Sequence, residues 1–312
     1  MLYCSHVRAA RRVIERLSLA RRIPPDALCR PNETSVYLVG LCGGAAAHEL
    51  FLADSYSGRE VVGAFDVRTG RLDARDEYQP PNGERVRDVA YSAESDSLLV
   101  ATLDDSEVIV RSLARRTDGQ WSECHRMQLA REGDKRIFLH VLRDGTLLCS
   151  QWDTDRIHVC RAHSDRSLQH CARVALPATH VGFDAQLVGN ERQLAAALSD
   201  GSVALFRIGT EPAALVPLSR VMLAGARRPL FCGENLLVGV DTGGNVRDTV
   251  SFTTTDGGLQ RDRQLIPCDN RPAILRLFSR DDRLDIFNWC FVEGILFAWD
   301  WNSQELLLFN AA

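Results

Sequence analysis

Six apolar runs in this chain end the same way, in a short polar turn led or closed by an aspartate. They are Leu50 to Asp54 (LFLAD), Leu98 to Asp104 (LLVATLD), Leu147 to Asp153 (LLCSQWD), Leu194 to Asp200 (LAAALSD), Leu236 to Asp241 (LLVGVD) and Ile295 to Asp300 (ILFAWD). The aspartates lie 50, 49, 47, 41 and 59 residues apart, and a second apolar stretch follows each within a few residues. A period of roughly 40 to 50 residues is that of a propeller blade, a unit that must stack on its neighbours to bury its faces.

The rest of each blade is legible around these runs. Inner strands precede them at Val36 to Leu41, Val86 to Ser92, Ile137 to Val141, His180 to Asp184 and Ile286 to Val292. Outer strands carry an arginine followed by alternating apolar residues at Arg126 to Leu129, Arg173 to Leu176 and Arg220 to Leu223. The same phrase occurs at Arg16 to Leu19, while the sixth blade stops at its third strand, Leu306 to Phe309. The expected fold is therefore all-β: a six-bladed β-propeller closed by an N-terminal strand, over residues 11 to 19, that completes the last blade and removes an open edge. One domain is expected over 1–312, with the closing segment at 1–30 and blades near 31–80, 81–132, 133–178, 179–225, 226–275 and 276–312. The alternative for residues 5–22, an amphipathic helix with Val7, Ala10, Ile14 and Leu17 on one face, leaves the sixth blade unfinished.

These segments resemble the broad propeller group of NHL, YWTD and WD-repeat proteins. Residues 50–72 look like an NHL blade, 295–310 like a YWTD blade and 86–105 like a WD repeat. The resemblance covers most of the chain and implies architecture. Trp152-Asp153 and Trp299-Asp300 close the second strand of a blade, whereas the WD dipeptide of that family closes the third.

Composition narrows the function classes. Hydrophobic residues make up 45% and charged residues 25%, the balance of a packed globular protein. No apolar run approaches the roughly 20 residues of a membrane helix. Lys135 is the sole lysine, the other basic side chains being arginines, and with a net charge of -4 the chain lacks a general pull toward nucleic acid. Ten cysteines form no Cys-x-x-Cys pair, and Cys42, Cys149 and Cys160 sit in apolar strands as small hydrophobes. The expected location is intracellular, cytoplasm or nucleus, with a mitochondrial presequence as the alternative raised by the Arg-rich start.

No nucleophile elbow or phosphate loop is present, so no catalytic residue, cofactor or metal is assigned. Of a Cys/His-rich stretch, strand alternation lets only subsets such as His158 and Cys160 converge. The b–c turns (second to third strand) and d–a connections (fourth strand to the next blade) should share one face. There Tyr56 and Trp301, with Arg131, Arg136, Arg227 and Arg228, are the expected anchors for a protein or peptide partner. Arg21 and Arg22 are expected in a d–a connection too, and Trp152 and Trp299 in packing between blades. The six aspartates are expected to brace turns. The leading expectation is a non-enzymatic platform or scaffold subunit of a larger complex. The alternatives are a calcium-dependent hydrolase similar to gluconolactonases and paraoxonases, for which the inner strands offer Asp184 and Asn288, and a nucleic-acid-binding propeller.

Overall fold

The structure, a computed structural model, describes residues 17–28, 38–46, 48–56, 59–81, 83–104, 106–209, 214–241, 246–255, 258–261, 286–300 and 303–311. These residues form six four-stranded antiparallel sheets. The first comprises β2 (Leu38–Gly43), β3 (Glu49–Tyr56), β4 (Arg59–Asp66) and β5 (Arg71–Tyr78). Next come β6 (Arg85–Ser92), β7 (Ser97–Leu103), β8 (Glu107–Arg115) and β9 (Trp121–Ala130), then β10 (Ile137–Val141), β11 (Thr146–Gln151), β12 (Arg156–Ala162) and β13 (Leu168–Ala175). The fourth has β14 (His180–Val188), β15 (Glu191–Leu198), β16 (Ser202–Ile208) and β17 (Leu215–Met222), and the fifth β18 (Ala226–Cys232), β19 (Asn235–Asp241), β20 (Val246–Thr255) and β21 (Gly258–Arg261). The last sheet joins β22 (Ile286–Val292), β23 (Ile295–Asp300) and β24 (Glu305–Ala311) to β1 (Leu17–Ile23). Among the described residues the one α-helix is the single turn α1 (Pro25–Leu28).

Inner strands meet in chain order: β2 lies beside β6, β6 beside β10, β10 beside β14, β14 beside β18, β18 beside β22, and β22 beside β2 again. The ring is closed. Second strands such as β7 and β11 are buried at every position because a neighbouring sheet covers each face, which is why their sequences run apolar without alternation. Outer strands alternate: on β9, Met127 and Leu129 point inward while Arg126, Gln128 and Ala130 are exposed. The core lies as wedges between successive sheets. One joins Leu99, Val110 and Met127 to Leu139, Leu147 and Cys160.

Closure is by the N-terminal strand, which overlaps the expected one at residues 17–19 and runs on to Ile23, while residues 11–16 lie outside the described ones. β1 pairs antiparallel with β24 from Leu17↔Ala311 to Ile23↔Leu306. Pro24 and Pro25 set its end, and Ile23, 1% exposed, packs among Leu38, Trp299 and Leu308. Arg21 and Arg22 therefore lie within this strand, not in a connection: Arg21 donates to the Val67 carbonyl at 2.8 Å and Arg22 pairs with Glu305 at 3.0 Å. Residues 17–22 of the helical alternative are strand, and residues 5–16 fall outside the described ones.

Candidate functional site

The inner wall is more polar than its strands suggested. Asp88 on β6 accepts the N–H of its neighbour Val89 at 2.9 Å and, across the junction, that of Leu139 on β10 at 2.8 Å. His140 on β10 donates from Nδ1 to Asp184 on β14 at 2.8 Å, and the other oxygen of Asp184 accepts the Phe231 N–H of β18 at 2.6 Å. Arg228 on β18 donates to Asn288 Oδ1 on β22 at 2.7 Å, and Asn288 Nδ2 donates to the Leu38 carbonyl of β2 at 3.0 Å. At the β2–β6 junction, a Cβ on Gly40 would lie 2.6 Å from an Asp88 oxygen and 2.9 Å from the Asp88 Cα, so only glycine allows this approach. A side chain or a missing one thus stitches every junction of the ring.

This belt answers the calcium alternative. Both oxygens of Asp184 face N–H donors, and the Asn288 oxygen faces a guanidinium, the reverse of the oxygen cage a calcium ion requires. Burial pushes Asp88 up to about 7 from the ordinary 3.8, against the lowering effect of its two N–H donors and of Arg228 and His140. Burial disfavours charge on His140, yet the Asp184 carboxylate outweighs it and holds the imidazole above its usual value.

Around one mouth of the ring, the connection from β9 to β10 is pinned to the end of β11. The buried Gln151 side chain accepts the N–H groups of Glu132 and Gly133, the latter at 2.9 Å, and Trp152 exchanges backbone bonds with Asp134 and Arg136. A Cβ on Gly133 would meet the Trp152 carbonyl at 2.6 Å, so the loop can lie this close only because that residue is glycine. On the far side, Asp153 donates to the His180 carbonyl at 3.0 Å. His180 is itself buried, bonded through Nε2 to Ser150 Oγ at 2.7 Å, and held neutral by burial that drops it to about 4.

Fixed in this way, the half-buried Trp152 carries two guanidinium groups over its ring: Arg136 at 4.9 Å, from the d–a connection, and Arg227 at 5.4 Å, from β18. Phe138 stacks beside it at 6.2 Å. Arg227 belongs to the sheet two blades on, so the indole reaches toward the ring axis. The expected packing role of Trp152 is thus only half of what it does, whereas Trp299 is wholly buried in the last blade. The missed signal was the alignment of Trp152 with the turn residue after β11, one step beyond the buried strand.

The other expected anchors separate. Arg131 is exposed in the same d–a connection, and Arg228, at φ 46° in a β-bulge, is turned into the wall by Asn288. Tyr56 ends β3 but its side chain lies outside the described residues, as does Trp301 altogether. Turn bracing is visible for three aspartates: Asp104 accepts the Ser106 and Glu107 N–H groups, Asp200 that of Ser202, and buried Asp300 that of Ser303. The Asp241 side chain lies outside the described residues. In the Cys/His stretch, His158 meets His170, not Cys160: Nδ1 and Nε2 share a hydrogen bond of 3.1 Å, while Cys160 is buried in the core. A bulge between Val159 and Cys160 shifts the register there. Burial lowers the His158 pKa, and among the described residues no group of three His, Cys, Asp or Glu side chains is placed to hold a metal.

No protein-family model matches the sequence, and no curated relative is found. Solved structures do match in fold. The β-propeller domain of Cps50 (Swd1) from Myceliophteria thermophila superposes with a TM-score of 0.58 at 11% identity, over 91% of this chain and 85% of that one. A chain of the mitotic checkpoint complex gives 0.57 at 12% identity, over 95% and 96%. The C-terminal WD40 domain of Sif2 gives 0.50 at 13% identity, over 90% and 71%. The protein is thus a six-bladed β-propeller whose fold neighbours include WD40 propellers.

Proposed function

We propose that this chain is a non-enzymatic interaction platform that holds a protein or peptide partner across the face formed by its b–c turns and d–a connections. The observation that carries this is the Trp152 ring with Arg136 and Arg227 over it, set at the mouth where those loops meet. Trp and Arg are the residue types that most often anchor interfaces, and here Trp152 is held before any partner arrives by backbone bonds with Asp134 and Arg136, in a loop that the Gln151 side chain pins through the Gly133 N–H. One neighbour of like fold is a chain of the mitotic checkpoint complex. Arg131, Tyr56 and Trp301 extend the same face in this proposal, and a reducing compartment, cytoplasm or nucleus, suits its free Cys124 and Cys171, both exposed.

The test places a photo-reactive side chain at exposed Arg131 or, on the opposite face, at exposed Asp118. In the native source, the first should capture one defined protein that then binds the purified chain, and the second should not. Capture from Asp118 alone would move the platform to the other face.

A further inference from the structure

Resting on that reading, we infer that the partner continues over the rim of the ring and lays an uncharged apolar segment in the groove between the third and fourth sheets. The groove measures about 500 Å³, with Leu176 and Pro177 on one wall, Leu215 and Pro217 of β17 on the other, and Ala204 and Phe206 of β16 beneath. It is the outer end of the apolar wedge between these sheets, in which Leu176, Ala204 and Phe206 are buried and Leu215 is only partly covered. Its size lies in the range of sites that take a ligand, roughly 300 to 1,000 Å³.

Local sequence opens this end of the wedge. Pro217 offers β17 no N–H, and a bulge at Leu218 separates the pairs Phe206↔Pro217 and Leu205↔Ser219. Residues directly opposite on neighbouring strands share a face, so Leu215, Pro217, Arg220 and Met222 turn with Ile208, Phe206, Ala204 and Ser202 toward the third sheet. Among the described residues the large apolar side chains left exposed are Val188, Val216 and Met222, all of the fourth sheet, and Met222 is 69% exposed on the groove's own face.

Charge and position select the occupant. Among the described lining residues Arg220 is the one charged side chain, and it is already held by Asp200 and, at 2.9 Å, by the Ser202 hydroxyl oxygen. A charged occupant would shed water there without gaining a counter-charge, whereas aliphatic side chains gain by leaving water. At the end nearer the mouth, Leu176 donates its N–H to the Asp155 carbonyl at 2.7 Å and Thr179 donates its hydroxyl to Asp153 at 3.0 Å. These bonds tie the groove's wall to the turn that carries Trp152, so the groove is continuous with the proposed face. Along β17 it runs from Leu215 to Arg220, roughly 17 Å of strand, which suits an extended segment with alternate side chains turned inward.

The experiment uses the full chain and peptides of about twelve residues bearing an uncharged fluorophore, read by anisotropy at about 50 and about 300 mM salt. A glycine–serine peptide with leucines at alternate central positions is compared with versions carrying serine, glutamate or lysine in their place. The leucine peptide should bind at least about tenfold tighter than the other versions, equally at both salt concentrations. It should lose about tenfold in Leu215→Gln and in Pro217→Gln, each checked for an unchanged melting temperature, and keep its affinity in Val188→Gln outside the groove. The partner captured from position 131 should lose about tenfold in the same two variants.

Equal binding of the leucine and serine peptides, or indifference to both groove variants, overturns the inference. Tighter, salt-sensitive binding of the glutamate or lysine peptide overturns it in favour of a charged segment. Nile red bound in the groove while the leucine peptide fails overturns it in favour of a small apolar molecule, and a dimer in sedimentation that Met222→Gln dissociates overturns it in favour of a second copy. A partner captured at 131 that binds Leu215→Gln and Pro217→Gln as tightly as the native chain removes the groove and leaves the platform standing. Failure of the platform shows separately, as no capture at 131 whatever the peptides do.

Discussion

A carboxylate oxygen of Asp88 on β6 accepts the backbone N–H of Leu139 on β10 at 2.8 Å, joining two sheets at the inner wall of the ring. With burial holding this carboxyl near 7 instead of 3.8, the folded chain binds a proton that the unfolded chain releases. The native state then holds more protons between these values, so stability falls as pH rises from about 4 through 7. His140 adds the same sign: its folded value is raised, so its contribution is present below the unfolded value and lost as pH rises through the folded one. His180, dropped to about 4, and His158, also lowered, act with the opposite sign below the ordinary imidazole value of 6.5, so the melting temperature should drop between about pH 6.5 and pH 8, by a loss on the order of 1 kcal/mol. Asp88→Asn should flatten that slope, and calorimetry of both proteins across this range checks it; parallel curves would contradict the linkage.

The closing strand should be indispensable. Removing residues 1–23 strips β24 of its partner from Leu306 to Ala311 and leaves both apolar side chains and backbone groups open, so the truncated chain should aggregate. A gentler probe is Ile23→Ala, which empties a fully buried site beside Trp299 and should cost about 2 to 5 kcal/mol. Size-exclusion chromatography and denaturant titration read the two. A monomeric truncation that melts normally would refute the closure.

Much of this architecture could be read from residues whose burial dictates their type. The second strands announced themselves because two neighbouring sheets cover them, and the N-terminal strand because the last blade lacked a partner. Its register could not be read, since the Arg-Leu-Ser-Leu phrase marks alternation but not which residue faces Leu306. The belt was hidden for a different reason. Asp88, His140 and Arg228 come from three sheets, and no spacing along the chain shows that a β-bulge at Arg228 turns its guanidinium to Asn288. Trp152 was visible as a turn aromatic, but its arginine neighbours come from two other segments.

Arg111 should prove the most sensitive charge in the fold. Its side chain is 0% exposed on β8, bonded to both oxygens of Glu84, to Glu123 at 2.8 Å and to Thr102 at 2.7 Å. Glu84→Ala leaves that guanidinium buried beside a lost partner and should cost about 3 to 5 kcal/mol in urea unfolding. A change below about 1 kcal/mol would mean that Glu123 and water suffice.

Asp200 should separate turn support from binding. It accepts the N–H and hydroxyl of Ser202 at 3.0 and 2.6 Å in the Ser-Asp-Gly turn, where Gly201 takes φ 79°. Asp200→Ala should cost about 0.5 to 2 kcal/mol of stability and leave partner affinity unchanged. Normal stability with lost binding would place the aspartate in the interface instead.

The most direct measurement is the affinity of the captured partner for two double variants, read by calorimetry. Arg136→Ala with Trp152→Ala removes the indole and one guanidinium from the b–c/d–a face, and Arg116→Ala with Asp118→Ala alters the β8–β9 turn on the opposite one. The first should weaken binding by at least about 2 kcal/mol, roughly thirtyfold, and the second by less than about 0.5 kcal/mol. A larger loss from the second would contradict the assignment of the binding face.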